Sequence, residues 1–468
     1  MIPERFAPIF DGVGPLARRF EVAGYRIYLV GGIVRDLVLG RPLSERADMD
    51  LTTNARPEIT AEVVRGWADA VWEQGARFGT IGVKKGETIF EITTHRSEAY
   101  SPDSRNPDVS FGDDVEVDLS RRDFTVNAMA LRVTGTDGEA SELIDPFGGA
   151  ADLASSTLRT PLAPEISFAD DPLRMLRAAR FVAGYGLAPV PELVAAVQAL
   201  AGRLEIVSAE RVRDELSKLL VVNEPSLGLW FLVDNGLADM VLPELPAMQV
   251  EQDPIHRHKD VLAHTVAVVS KTQPELVVRL AALLHDVGKP KTRMIGPRGV
   301  SFHHHEVVGA RMARNRMRAL RYPNHIVEAV TQLVYLHLRF HGYGDDLWTD
   351  AAVRRYVRDA GDLLDQLNEL TRCDCTTRNE RKAQMLSARM DALEVRIAEL
   401  REQEALEAIR PDLDGQAVMA HLGIPPGREV GQALAMLLEL RLDSGPVSEA
   451  EALRRLDEWW ADRASPSD

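Results

Sequence analysis

Leu29-Val30-Gly31-Gly32-Ile33-Val34-Arg35-Asp36, followed closely by Asp48-Met49-Asp50-Leu51-Thr52, is the stretch whose reading decides the fold. Tyr25 to Val30 reads as a strand, and Gly31 to Leu39 as the helix that follows it. With Asp48 to Thr52 as a strand, side chains alternate, so Asp48 and Asp50 reach the same face. Two carboxylates so placed suit Mg²⁺, which takes hard oxygen ligands and keeps positions open for phosphate and water. The glycine pair lets backbone approach a triphosphate closely, and Arg35 adds a charged fork for phosphate oxygens. Their nearness, more than either motif alone, gives the pattern its meaning.

Outward from this stretch, Thr80 to Val83, Thr88 to Thr93 and Ala128 to Val133 read as strands. Arg56 to Trp67 reads as a helix, with Thr52, Thr53 and Asn54 as capping candidates. Ser97 to Pro107 is polar and punctuated by proline, which predicts a loop. From Asp170 onward apolar residues recur at helical steps, and the tail from Arg463 is expected to fray. The fold class is therefore α+β: a small head with a mixed sheet, then an elongated all-α body. The expected domains are 1–150 (head), 151–250 (helical neck), 251–380 (a metal-binding helical domain) and 381–468 (helical tail).

At 468 residues the chain exceeds one ordinary core. It has no long apolar run, which excludes a membrane-spanning reading. Cys373 and Cys375 are separated by one residue, a spacing that disfavours a disulfide, and two thiolates do not complete a zinc site. A reduced, cytoplasmic chain is expected. The net charge of −16 argues against a coat of nucleic acid but leaves room for local basic surfaces. The densest is Arg311 to Arg321, which reads equally as a solvated helix face or an RNA contact.

Three more segments carry chemistry. Arg121-Arg122-Asp123-Phe124-Thr125-Val126-Asn127-Ala128 sets two cations and an acid before an apolar run, suited to triphosphate and to a ribose hydroxyl. Asp170-Asp171-Pro172-Leu173-Arg174-Met175-Leu176-Arg177-Ala178-Ala179-Arg180-Phe181 reads as a helix start, with acids at its positive end and three arginines drifting across one face. Glu210-Arg211 opens a charged helix.

Together with Leu39-Gly40-Arg41-Pro42, these segments resemble the class II tRNA nucleotidyltransferases, the bacterial CCA-adding enzyme and poly(A) polymerase family, over roughly residues 24–220. The resemblance implies that Asp48 and Asp50 hold catalytic Mg²⁺, with Glu91 a third acid nearby. It places Gly32, Arg35 and Arg122 on the triphosphate, and Asp123 on the ribose. Asp171 and Arg174 would read the base edge, with Arg177 and Arg180 completing the nucleotide site. Its partners would be tRNA, CTP and ATP. Two features depart from the family pattern. Asp170 stands where Glu is frequent, and the segment before Asp-x-Asp is longer, an insertion falling within Ser44 to Ala47.

Leu283-Leu284-His285-Asp286-Val287-Gly288-Lys289 carries a second chemistry, since an adjacent His-Asp pair offers nitrogen and oxygen to a divalent metal. His264 upstream and Asp374 downstream make the order resemble an HD-type metal-dependent phosphohydrolase domain. His305 and His337 match the extra ligands of its two-metal members. The family resemblance then implies addition of CCA to tRNA, with A-only and poly(A) addition left open. A guanosine-alarmone synthetase/hydrolase places its HD part first, opposite to the order here. A non-catalytic RNA-binding protein would leave intact acids at both sites unexplained.

Overall fold

The residues of β1, Ile27–Val30, form an unbroken apolar run, and all are buried, the pattern of a strand covered on both faces. The computed structural model of the chain describes residues 7–41, 49–99, 108–134, 142–250, 260–296, 299–343, 348–375, 379–404 and 409–464. The other strands of the head are β2 (Met49–Thr53), β3 (Ala70–Trp72), β4 (Thr80–Lys85), β5 (Thr88–Thr94), β6 (Arg96–Ala99), β7 (Asp108–Phe111), β8 (Ala130–Val133) and β9 (Leu143–Ile144). Seven of them make one sheet, ordered β3-β4-β5-β2-β1-β8-β9. It is mixed: β2 and β5 run parallel, while the other neighbours are antiparallel.

Leu51, Ile92, Phe90, Ile81 and Val83 join β1 in the buried core of this sheet. In β2 burial begins abruptly, because Asp50 is exposed and Leu51, Thr52 and Thr53 are buried. One end of the sheet is therefore polar and open, and the glycine pair sits at that end.

Three local expectations need correction. The helix Pro57–Val64 is opened by Arg56 with proline in its first turn and has no side-chain cap. Thr53 and Asn54 are engaged elsewhere: Ala55 N donates to Thr53 Oγ1 at 3.1 Å and Arg26 N to Asn54 Oδ1 at 2.8 Å. Thr52 hydrogen-bonds within the sheet, to Thr93 O at 3.0 Å. The segment read as a loop from Ser97 contains strand, since β6 pairs with β7 in an antiparallel hairpin; its residues 100–107 lie outside the described ones. The edge strand β3 has a composition too short and too interrupted to announce itself.

The chain divides into two compact units, Met1–Pro246 and Ala247–Asp468. In the first, the helix Leu173–Tyr185 packs on Ala209–Leu220 and Ser226–Asp234. A Cβ at Gly228 would lie 2.5 Å from the Ala179 carbonyl, so only glycine lets these helices approach so closely. In the second, the helices Val261–Lys271, Leu276–Leu284, His305–Ala319, Asn324–Leu336 and Leu364–Asp374 pack around Val268, Leu280, Leu283, Leu333 and Leu370. His264 and His285 thus belong to separate helices. A hairpin, Arg293–Gly296 with Gly299–Phe302, interrupts the helical body. Farther on, Leu413, Val418, Ala433, Leu437 and Leu456 form a separate apolar cluster.

Candidate active site and metal centre

Gly31 ends β1 with φ of +71°, a value that favours glycine. A Cβ there would lie 3.2 Å from Arg122 Nη1 and 3.7 Å from Asp50 Oδ2. The guanidinium, the carboxylate and the glycine backbone therefore converge on one point. The parallel register sets Asp50 beside Glu91, which is also exposed between buried Phe90 and Ile92. Neighbouring residues in register project to the same face, so two hard-oxygen donors stand together at the open rim of the sheet. Such donors fit Mg²⁺. Asp48 lies outside the described residues.

Arg122 is anchored from behind. Its Nη2 lies 3.5 Å from Asp118 Oδ2, and Arg121 Nη2 is 2.8 Å from the other carboxylate oxygen. Burial opposes ionisation of Asp118, yet the two guanidiniums outweigh it and hold its carboxyl below the usual range.

Arg35 is more enclosed than its motif suggests. Its guanidinium is buried, donates to both Asp36 oxygens (3.0 and 3.1 Å) and to Asn127 Oδ1 (2.7 Å), and lies over the Tyr185 ring at 4.2 Å. A Cβ on Gly32 would sit 3.3 Å from Arg35 Nη2. Asn127 continues the chain by donating to Asp123 at 3.0 and 3.2 Å, and Arg177 donates to Asp123 at 2.9 and 2.5 Å. Burial alone would raise the Asp123 carboxyl, but Arg177 and Asn127 hold it well below the usual carboxylate range.

The remaining predicted residues sit in the same unit, each with an internal partner. Arg174 is buried and donates to Ser167 Oγ at 2.9 Å and to the Arg121 carbonyl at 2.5 Å. Arg180 pairs with buried Glu215. Asp171 Oδ2 accepts from Arg211 at 2.7 Å, and Leu173 N donates to its Oδ1 at 3.2 Å. Asn127, Asp118, Glu215 and Arg211 are the positioning residues that sequence reasoning left without roles. For Asn127 the signal was present, four residues after Asp123 within one motif.

In the second unit, His264, His285, Asp286, His305, His337 and Asp374 form one cluster. His264 Nε2 lies 2.9 Å from Asp374 Oδ1 and 3.5 Å from Asp286 Oδ2, and His285 Nε2 lies 3.2 Å from Asp286 Oδ2. On the other side of the same carboxylate, His305 Nε2 is 3.4 Å and His337 Nε2 4.0 Å from Asp286 Oδ1. Two ligand groups result, His264/His285/Asp286 and Asp286/His305/His337, sharing Asp286.

Three of the rings make the same backbone contact. Nδ1 of His285, His305 and His337 lies 2.8, 2.8 and 2.7 Å from the carbonyls of Ala282, Phe302 and Val334. A carbonyl only accepts, so Nδ1 carries a proton and each Nε2 is turned inward, the arrangement in which it can ligate a metal. The donor set, nitrogen and carboxylate oxygen around a shared acid, fits two divalent cations. Burial opposes charge on His285, but Asp286 and Asp374 push its imidazole up to about 10. Burial, with His285 nearby, pushes His337 down to about 4. Lys289 Nζ lies 2.7 Å from Asp286 Oδ2 and adds a cation at the centre.

Comparison with known proteins brings three family models onto the chain. The poly(A) polymerase head domain matches residues 27–159, the probable RNA- and SrmB-binding site of polymerase A matches 186–248, and the HD domain matches 261–400. An A-adding tRNA nucleotidyltransferase of Deinococcus radiodurans is 35% identical over 456 residues, covering 94% of this chain and 96% of that protein. A CCA-adding enzyme of Latilactobacillus sakei is 36% identical over 257 residues, 53% of this chain and 62% of its own length. Among solved structures, the Bacillus stearothermophilus CCA-adding enzyme in complex with CTP shares the fold across 99% of both chains, with a TM-score of 0.70 at 24% identity. The Thermotoga maritima CCA-adding enzyme complexed with tRNA shares it across 98% of this chain and 96% of its own, with a TM-score of 0.58 at 18% identity.

Proposed function

The chain belongs to the class II CCA-adding and poly(A) polymerase family of tRNA nucleotidyltransferases, and from that premise we propose that it transfers AMP from ATP to the 3′ end of tRNA ending in CC. The observation that carries the transfer site is the convergence of Gly31, Asp50 and Arg122 beside Glu91. Terminal A addition is common to the A-adding relative that matches along 94% of the chain and to full CCA addition. Full CCA addition, drawing also on CTP, is the second reading. It is favoured by the likeness to CCA-adding enzymes over about half of the chain and by Asp171 and Arg174 in the neck, suited to read a base edge.

Asp50, with Asp48 and Glu91, would hold Mg²⁺. When bound, the ion supplies activation of the attacking 3′-hydroxyl and charge stabilisation on the departing pyrophosphate. The protein's own groups do the positioning. Gly31 and Gly32 admit the triphosphate to backbone distance, and Arg122, braced on Asp118, presents a guanidinium to it. Arg35 acts mainly through Asn127, fixing the glycine turn relative to Asp123. Asp123, steadied by Arg177, is placed for a ribose hydroxyl. Asp171, held by Arg211, and Arg174, held by Ser167, are immobilised as a rigid base-reading pair.

The test uses Mg²⁺, ATP and CTP with three tRNAs ending before CCA, after the first C and after CC, followed by sequencing of the 3′ ends. One A added only to the CC-ended tRNA establishes A addition. Tails completed to CCA from every start establish the second reading, long A tails mean poly(A) synthesis, and no incorporation overturns the assignment.

For the second unit we infer a metal-dependent phosphohydrolase centre, supported by the two ligand groups that share Asp286. Its own residues orient the imidazoles and hold Lys289 beside the shared acid, a cation suited to a phosphate oxygen. Phosphate release from an RNA bearing a terminal phosphate, with Mn²⁺ or Ni²⁺ added and lost in Asp286→Asn, is the expected result. No release with any divalent metal overturns the inference.

A further inference from the structure

The helix His305–Ala319 supplies one metal-cluster ligand with its first residue and carries an arginine stripe along its outer face. Arg311, Arg314 and Arg318 are all exposed, whereas Gly309, Ala310, Ala313 and Met317 are buried against the rest of the unit. At 3.6 residues per turn the three arginines fall within an arc of about 60° and span about 10 Å along the axis. Arg311 begins the stripe about 9 Å along the helix from His305.

Half-buried arginines elsewhere in this unit are tied to acids: Arg355 to Glu439 and Asp443, Arg372 to Asp391 and Glu394, Arg396 to Asp350. Exposed Arg381, Arg410 and Arg428 stand singly elsewhere, whereas the stripe sets three on one helix face. The guanidiniums of Arg311, Arg314 and Arg318 have no ion-pair or hydrogen-bond partner among the described residues. The nearby acids do not compensate them, since Glu306 faces His304 at 3.7 Å and exposed Glu328 on the adjoining helix forms no ion pair among the described residues. In a chain of net charge −16 such a stripe is not a general property of the surface. Three unneutralised, aligned guanidiniums make a local positive field that attracts a polyanion, and long arginine side chains reach successive phosphates of one strand.

We propose that this face binds the phosphate backbone of a single RNA strand, in a track on the helical unit directed toward the end of the helix that bears His305. This goes beyond the assignments above and holds whether or not the metal cluster hydrolyses anything. An acidic protein partner would match the charge but not the narrow, single-file spacing.

The experiment measures binding of the full chain to a fluorescent twelve-nucleotide single-stranded RNA by anisotropy, across salt concentrations from 50 to 200 mM. Arg311→Ala/Arg314→Ala/Arg318→Ala is expected to weaken binding at low salt by at least tenfold. It should also make the slope of log K against log salt shallower by about 2, from three lost phosphate contacts. The corresponding triple lysine variant is expected to keep the parental slope, which separates charge from folding. A parental slope in the alanine variant, or a lysine variant as shallow as the alanine one, would overturn the proposal.

Discussion

The two candidate centres solve the problem of holding charge in opposite ways. In the head, Asp50 and Glu91 stand exposed at the rim of the sheet, while the surrounding arginines are tied to Asp118, Asp123 and Glu215 behind them. In the helical unit, His285, Asp286 and His337 are almost wholly buried, and their rings are already turned inward. Exposed acids cost little to leave unliganded, because water solvates them. A buried cluster instead needs its charges balanced, here in part by Lys289. The first centre is thus separable from stability, whereas the second is part of it.

Asp50→Ala offers the sharpest break in that comparison. Nucleotide transfer is expected to fall about 10³-fold or more, with folding stability within about 0.5 kcal/mol of the parent because the side chain is exposed. Single-turnover incorporation and chemical denaturation measure the two quantities on one preparation. A large stability loss would erase the contrast.

Behind the rim the head should behave like the helical unit. Arg177→Met strands a buried carboxylate, Asp123, and is expected to cost about 3–5 kcal/mol in denaturant unfolding. A cost under 1 kcal/mol would mean that Asp123 finds protons or water as easily as a surface acid.

Cation binding should stabilise the helical unit directly. Mn²⁺ at a hundredfold excess over its dissociation constant is expected to add about 2.7 kcal/mol, visible as a rise in unfolding temperature that a chelator reverses. Asp286→Asn should abolish the rise, since both ligand groups share that residue.

The smallest effect tests a buried histidine that belongs to neither centre. Burial pushes His95 down to about 4 from 6.5, so the unfolded chain binds more protons between those values. Stability from this group is complete above the unfolded pKa and is lost as pH falls through the window, by about 2 kcal/mol between pH 7.5 and 5. His95→Gln should flatten that part of the stability profile.

The glycine turn and the strand bearing Asp50 were legible because each depends on spacing along a single element, whereas His264, His285 and Asp374, on separate helices, were joined only by the resemblance to HD domains. His305 and His337 entered by the same resemblance, as the extra ligands of two-metal members, since a lone histidine on a helix is more often structural. The arginine partners were not legible. Helical spacing places Arg174, Arg177 and Arg180 on neighbouring faces, but it cannot say that Ser167, Asp123 and Glu215 wait opposite, because those contacts form only when distant segments pack. Strand β3 and the β6–β7 hairpin were missed for a related reason, as their pairing is fixed by neighbours rather than by their own composition.

His285 and His337 each follow the last residue of a helix, and their ring N–H groups close carbonyls that the helix itself leaves open. Terminating those helices and aiming those ligands are consequently one event. The helix ends therefore fix the ring orientations themselves, so a cation reaching the cluster meets ligands that require no search among ring orientations.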